Sequence, residues 1–252
     1  MDNSEAYDKQ KSRLIVALDV STAAEALKAV SELREEVGAF KVGLQLFTSE
    51  GASLVQNLAG SGIDVFLDVK YYDIPNTVAG AASEAAKMGV WMFNVHASGG
   101  SEMMRAALEA ANEVCDKGSL RLPKIIGVTV LTSSDRQTLK ETGIEKTVEE
   151  RVLQLAELTA KCGLHGVVAS PFETSMIRGS IGDPKFEIVT PGIRPSNATH
   201  DDQKRVMTPA QAANAGSDYL VVGRPIIGAE DRVEAARQIV QEMTEAAGPT
   251  DL

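Results

Sequence analysis

Residues 64–70 read D-V-F-L-D-V-K, an apolar run of strand length with an aspartate and a lysine at its carboxyl end. Val65, Phe66 and Leu67 in succession suit a strand buried on both faces, the kind found in parallel sheets covered by helices. Similar segments flank it along the chain. Before it lie Arg13–Val20 (RLIVALDV) and Phe40–Leu46 (FKVGLQL). After it come Trp91–Ala97 (WMFNVHA), Ile125–Leu131 (IIGVTVL), Gly166–Ser170 (GVVAS), Phe186–Ile193 (FEIVTPGI) and Tyr219–Ile226 (YLVVGRPI).

Between these segments the periodicity turns helical. Thr22 and Glu25 have capping-box spacing, ahead of an apolar face of Leu27, Val30, Leu33 and Val37. Thr147 and Glu150 repeat the signal before Val152, Leu155 and Ala156, and Gly163 closes that helix. Thr208 followed by Pro209 predicts another helix start, and a last helix is expected over residues 230–246. Eight strands alternating with helices in 252 residues predict a (β/α)8 TIM barrel in a single domain, residues 13–252. An open doubly wound sheet is the rival, but no G-x-G-x-x-G follows the first strand.

Residues 1–12 (MDNSEAYDKQKS) are polar and lack the apolar stretch of a signal peptide, so they read as a flexible lead-in and the expected location is cytoplasmic. No apolar run approaches the roughly 18 residues of a membrane span. Lys and Arg number 25 against 35 Asp and Glu, a formal charge of −10 without a basic stripe, which argues against nucleic acid or an anionic membrane as partner. Cys115 and Cys162 lack metal-ligand spacing and read as reduced, partly buried thiols.

In a TIM barrel the chemistry lies at the carboxyl ends of the strands. Asp19 ends the first predicted strand, Lys41 lies in the second, and Asp68 and Lys70 end the third, with Asp73 in the loop beyond. Two residues apart on a strand, Asp68 and Lys70 should share a face. Charges inside a barrel are costly unless paired, so a Lys–Asp–Lys–Asp array of Lys41, Asp68, Lys70 and Asp73 is expected at the barrel mouth. A bare D-x-K-x-x-D usually marks a solvated turn; the strand context and the second lysine reverse that reading. His96, Thr132, Ser170 and Arg194 stand at or just after other strand ends, with His96 read as a hydrogen-bonded barrel residue rather than a proton shuttle and Ser170 as polar lining. The T-P-G-I-R-P stretch (190–195), the polar segment 196–205 and Gly223–Arg224 suggest a lid and a phosphate site after the last two strands.

F-L-D-V-K-Y-Y-D-I-P-N-T (66–77) resembles the signature of the orotidine 5′-phosphate decarboxylases. N-V-H-A-S-G-G (94–100), V-T-V-L-T-S (128–133), V-T-P-G-I-R-P (189–195) and V-G-R-P-I (222–226) resemble further motifs of the bacterial branch, in the same order. The resemblance implies conversion of orotidine 5′-phosphate to UMP and CO2 without metal or cofactor. It implies a homodimer in which Lys41, Asp68 and Lys70 of one subunit meet Asp73 and Thr77 of the other, with Ile74 in the same substrate-binding loop. Asp19 and Lys41 would hold the ribose hydroxyls and Thr132 would lie near the pyrimidine. Gln203, Arg224 and the Gly223 N–H would hold the phosphate, with Pro191 and Arg194 shaping the closing loop. A related sugar-phosphate decarboxylase group shares D-x-K-x-x-D but resembles a Mg²⁺ enzyme with an acidic residue where this chain has Lys41.

Overall fold

The computed structural model describes residues 3–195 and 207–247. Eight parallel strands close in sequence order into a barrel. They are β1 Leu14–Ala17, β2 Ala39–Gly43, β3 Val65–Tyr71, β4 Met92–His96, β5 Lys124–Val128, β6 Gly166–Val168, β7 Glu187–Thr190 and β8 Tyr219–Val222. β8 pairs back onto β1, with Ile15 opposite Val221. Alternation divides the strand residues between two apolar layers. Ile15, Ala17, Ala39, Phe66, Met92, Ile126, Val189 and Val221 fill the barrel, while Leu14, Val16, Phe40, Val42, Leu67 and Phe93 pack with the helices outside. Both faces are buried, so the strands read as continuous apolar runs.

Most strands end earlier than the apolar runs suggest. Leu44 already opens the helix Leu44–Gly60, β7 stops at Thr190, and Arg224 begins a one-turn helix, Arg224–Ile227, after β8. The residues beyond each strand belong to loops that shape the mouth.

The capping boxes form at Thr22/Glu25, Thr147/Glu150 and Thr208/Gln211. Gly163, at φ +80°, follows the helix Val148–Lys161. The final helix spans Arg232–Ala247. Leu27 was expected on the inner face of its helix but is 40% exposed. The buried stripe there is Ala26, Ala29, Val30 and Leu33, because small alanines let the helix approach the barrel closely. The lead-in expected to be flexible is helical over Asn3–Lys11. Tyr7 packs against the core, Gln10 is buried, and the Arg13 guanidinium donates to Gln10 and to the Ser217 and Asp218 carbonyls. Tertiary anchoring of this kind holds a helix that has little amphipathic pattern of its own.

The end of the barrel away from the mouth is closed by polar and aromatic groups. The Lys124 ammonium lies over the Trp91 and Tyr219 rings and pairs with Glu187. His165 is only partly exposed there, its Nδ1 accepting from the Ile125 N–H at 3.0 Å.

Close packing sets one stability prediction. Gly166 faces Glu187 across the β6–β7 ladder, and a Cβ there would overlap the Glu187 carbonyl oxygen and come within 2.7 Å of its carbon. Backbone cannot yield as a side chain can, so Gly166→Ala should cost on the order of 3 kcal/mol or more. Urea unfolding should show a large fall in midpoint, while Gly182→Ala, with open space at its Cβ, should match the wild type.

Candidate active site

The mouth of the barrel opens onto a cavity of about 390 Å³, within the usual range for a small-molecule site. Phe66, Val128, Val168, Val189 and Val221 give it an apolar floor and wall, and Lys41, Asp68 and Lys70 give it a charged side. Thr132, Ser133 and Pro191 line it from the loops after β5 and β7.

The charged side is a continuous chain of ion pairs. Lys41 Nζ lies 3.6 Å from Asp19 Oδ1 and 3.4 Å from Asp68 Oδ2, and Lys70 Nζ lies 2.6 Å from Asp68 Oδ1. Burial would push the Asp68 carboxyl up, but the Lys41 and Lys70 charges and the hydrogen bonds from Lys70 and Asn94 outweigh it. Asp68 is therefore held below the ordinary carboxylate range and stays ionised at neutral pH. A largely buried carboxylate with two cations and an amide around it is compensated; removing one partner from a fully buried cluster of this kind typically costs about 3–5 kcal/mol, and less here, where Asp68 is partly exposed.

Asp68 and Lys70 do meet, but regular alternation is not the reason. Between Leu67 and Tyr71 the β3–β4 register slips: Leu67 faces Phe93, whereas Tyr71 faces Val95. Lys70 lies inside this irregularity with φ +54°, a left-handed conformation uncommon for a residue with a side chain. The local bulge re-aims the lysine toward the cavity. Its N–H donates to Asn94 Oδ1 at 2.8 Å, and the Asn94 amide donates to Asp68 Oδ1 at 2.7 Å. Asn94 is fully buried and was not singled out from the sequence. The signal was available: Asn94 is two residues after Met92 on β4, a position facing the barrel interior.

The remaining expected residues fall into distinct places. Asp19 is exposed at the rim beside Gly223, where an added Cβ would come within 2.7 Å of its Oδ2. Arg224 is exposed, and Arg194 donates to the Ile193 carbonyl while its N–H is held by Met207 O at 3.0 Å. An Ile193–Met207 bridge thus ties together the two ends of the polar loop. Gln203, His200 and the rest of residues 196–206, the polar part of the loop read as a lid, lie outside the described residues. Asp73, Ile74 and Thr77 are exposed, and Asp73 Oδ1 accepts from the Ile74 N–H at 2.7 Å. Asp73 is not joined to Lys70 within the chain, so the array here runs Asp19–Lys41–Asp68–Lys70. His96 packs its ring against Tyr72, and burial, reinforced by the Lys70 charge and opposed by Asp68, lowers its pKa.

Among the described residues no group of three or more His, Cys, Asp or Glu side chains is placed to hold a metal ion, and no helix is long and apolar enough to cross a membrane. The family model for "Orotidine 5′-phosphate decarboxylase / HUMPS family" matches residues 12–239. The chain belongs to this family. Among its curated members, the orotidine 5′-phosphate decarboxylase of Syntrophotalea carbinolica is 53% identical over 236 residues, covering 94% of this chain and 96% of its own. The orotidine 5′-phosphate decarboxylase of Geobacter sulfurreducens is 51% identical, covering 94% and 98%. The crystal structure of the family member from Lactobacillus acidophilus superposes with a TM-score of 0.81 at 38% identity, covering 91% of this chain and 98% of that one.

Proposed function

We propose that this chain decarboxylates orotidine 5′-phosphate to UMP and CO2, the last step in making UMP de novo. The observation that carries the mechanism is the Lys70 ammonium held by Asp68 at the edge of a cavity with an apolar floor. When the C6–carboxylate bond breaks, its electron pair stays on C6 in the plane of the ring, out of conjugation with the carbonyls. A fixed cation in a water-poor site stabilises such charge far better than one in water. Lys70 supplies that cation, then gives a proton to C6 to complete UMP and is reprotonated from solvent. Asp68 keeps the ammonium aimed, with Asp73 of a second subunit proposed on its far side.

Asp19 and Lys41 are proposed to hold the ribose hydroxyls and Thr132 to lie against the pyrimidine. Gln203, Arg224 and the Gly223 N–H are proposed for the phosphate, with Ile74, Thr77, Pro191 and Arg194 bordering the substrate. Binding energy from the remote phosphate and ribose can then serve the reacting carbon. The reading includes a cytoplasmic location; it also includes no nucleic-acid or membrane partner, and the charge of −10 supports that second part.

The reaction is read as metal-free. Lys41 lies within 4 Å of both Asp19 and Asp68, so its ammonium occupies the ground where a divalent cation would need those carboxylates. Purified protein treated with EDTA should convert orotidine 5′-phosphate to UMP at the untreated rate, followed by the ultraviolet change. Activity lost with EDTA and restored by Mg²⁺ would overturn the metal-free mechanism. No conversion under either condition would overturn the substrate.

A further inference from the structure

Lys70 holds two features that a strand residue does not adopt unaided. Its φ is +54°, and it lies where β3 slips register against β4. A left-handed non-glycine residue persists only where its surroundings impose it. Here the imposing contact comes from one side chain: Asn94 Oδ1 accepts the Lys70 N–H, while Asn94 Nδ2 donates to Asp68 Oδ1, the oxygen that also receives Lys70 Nζ. The amide can be oriented only one way, because a backbone N–H only donates and an ionised carboxylate only accepts. Neither aspartate nor leucine, both close to asparagine in shape, provides both functions at neutral pH.

We propose that Asn94 is a positioning residue, whose amide fixes the backbone of Lys70 and the carboxylate of Asp68 together so that the ammonium points into the cavity. It need not touch the substrate: among the residues lining the cavity are Asp68 and Lys70, but not Asn94. The inference rests on the proposed decarboxylation, and deepens it by identifying what keeps the lysine in place.

Asn94→Asp gives a test that a merely space-filling role would not answer. With its proton, the new carboxyl reproduces the amide, accepting from the Lys70 N–H and donating to Asp68. Without it, two carboxylates face each other and the arrangement breaks. Such pairs share one proton and titrate together, at a raised apparent pKa. The charged groups facing the pair are Lys41 from β2, Lys70 from β3 and, beyond Lys41, Asp19; His96 on β4 is the nearby neutral base.

The ratio of Asn94→Asp to wild-type kcat on orotidine 5′-phosphate should therefore fall at least tenfold from the acidic to the alkaline end of the stable range. KM should change less than kcat. A ratio constant across pH, at whatever level, overturns the proposal. Should Asn94→Asp not fold, Asn94→Ser is small enough to enter without a clash. It should lower kcat at least tenfold with UMP still bound, and wild-type kcat in that variant overturns the proposal equally. Wild-type protein measured alongside separates the two claims: its inactivity refutes the substrate, whereas its activity with unaffected Asn94 variants refutes the positioning role alone.

Discussion

Lys70→Ala should reduce kcat on orotidine 5′-phosphate by at least about 10⁴-fold, measured by single-turnover conversion to UMP. The size follows from two losses at one atom. Proton delivery by a positioned acid is typically worth about 10²–10⁴ in rate, and a preorganised charge facing a developing anion about 10²–10³. Because the same ammonium performs both tasks, the effects overlap, and only the low end of their product is expected, roughly 10⁴ or about 5.5 kcal/mol of barrier. Binding should respond differently. UMP already carries a proton on C6 and no carboxylate, so it presents little for Lys70 to neutralise.

The variant should therefore bind UMP within about tenfold of the wild type, by calorimetry, while turnover disappears. It should also remain folded. The backbone N–H of residue 70 still reaches Asn94, and Asp68 keeps Lys41 and the Asn94 amide. Residual turnover near the wild-type rate, in a protein that still binds UMP, would transfer the proton donation to another group. A large loss of UMP affinity would mean that Lys70 holds the ground state.

The barrel could be read because each strand obeys one repeated rule. In β1, Leu14 and Val16 meet the helices while Ile15 and Ala17 fill the interior, and such two-sided burial makes a short apolar run unmistakable. Helix starts were equally local: Thr22 and Glu25 bond each other's backbone whatever the rest of the chain does. Lys70 shows where locality ends. Asp68 and Lys70 were expected to meet by alternation, and they meet at 2.6 Å, but through a register slip and a left-handed residue that no spacing in β3 announces. That conformation depends on Asn94, a residue 24 positions further along the chain.

The Asn3–Lys11 helix illustrates a second limit. Its sequence lacks an apolar stripe, and its order comes from Tyr7, packed on the core, and from Gln10, which accepts from Arg13, whose guanidinium in turn reaches the Ser217 and Asp218 carbonyls far away in sequence. Leu27 illustrates a third. An apolar residue next to a buried stripe looks the same in sequence as one within it, and the smaller Ala26 and Ala29 took the inner positions.

Mixed oligomers of two disabled variants should recover activity that neither parent has. Within one chain, Asp73 is exposed and turned back onto the Ile74 N–H, leaving Asp68 as the carboxylate paired with Lys70. Around the same mouth, Leu44, Tyr72 and Ile74 are 56%, 62% and 66% exposed, large apolar groups that a monomer gains nothing by showing to water. A two-fold dimer joined mouth to mouth would cover them and carry each Asp73 toward the other subunit's Lys70. Asp73→Asn then disables the site of the partner subunit, whereas Lys70→Ala disables its own. In a heterodimer of the two, one site receives both defects and the other neither. Random assortment makes about half of the dimers mixed, so co-expressed, differently tagged variants should show about a quarter of the wild-type activity per subunit. Sedimentation should find dimers in each preparation. Activity in the mixture no greater than the average of the two parents would place Asp73 and Lys70 in the same subunit's site, and a monomer in sedimentation would remove the shared site altogether.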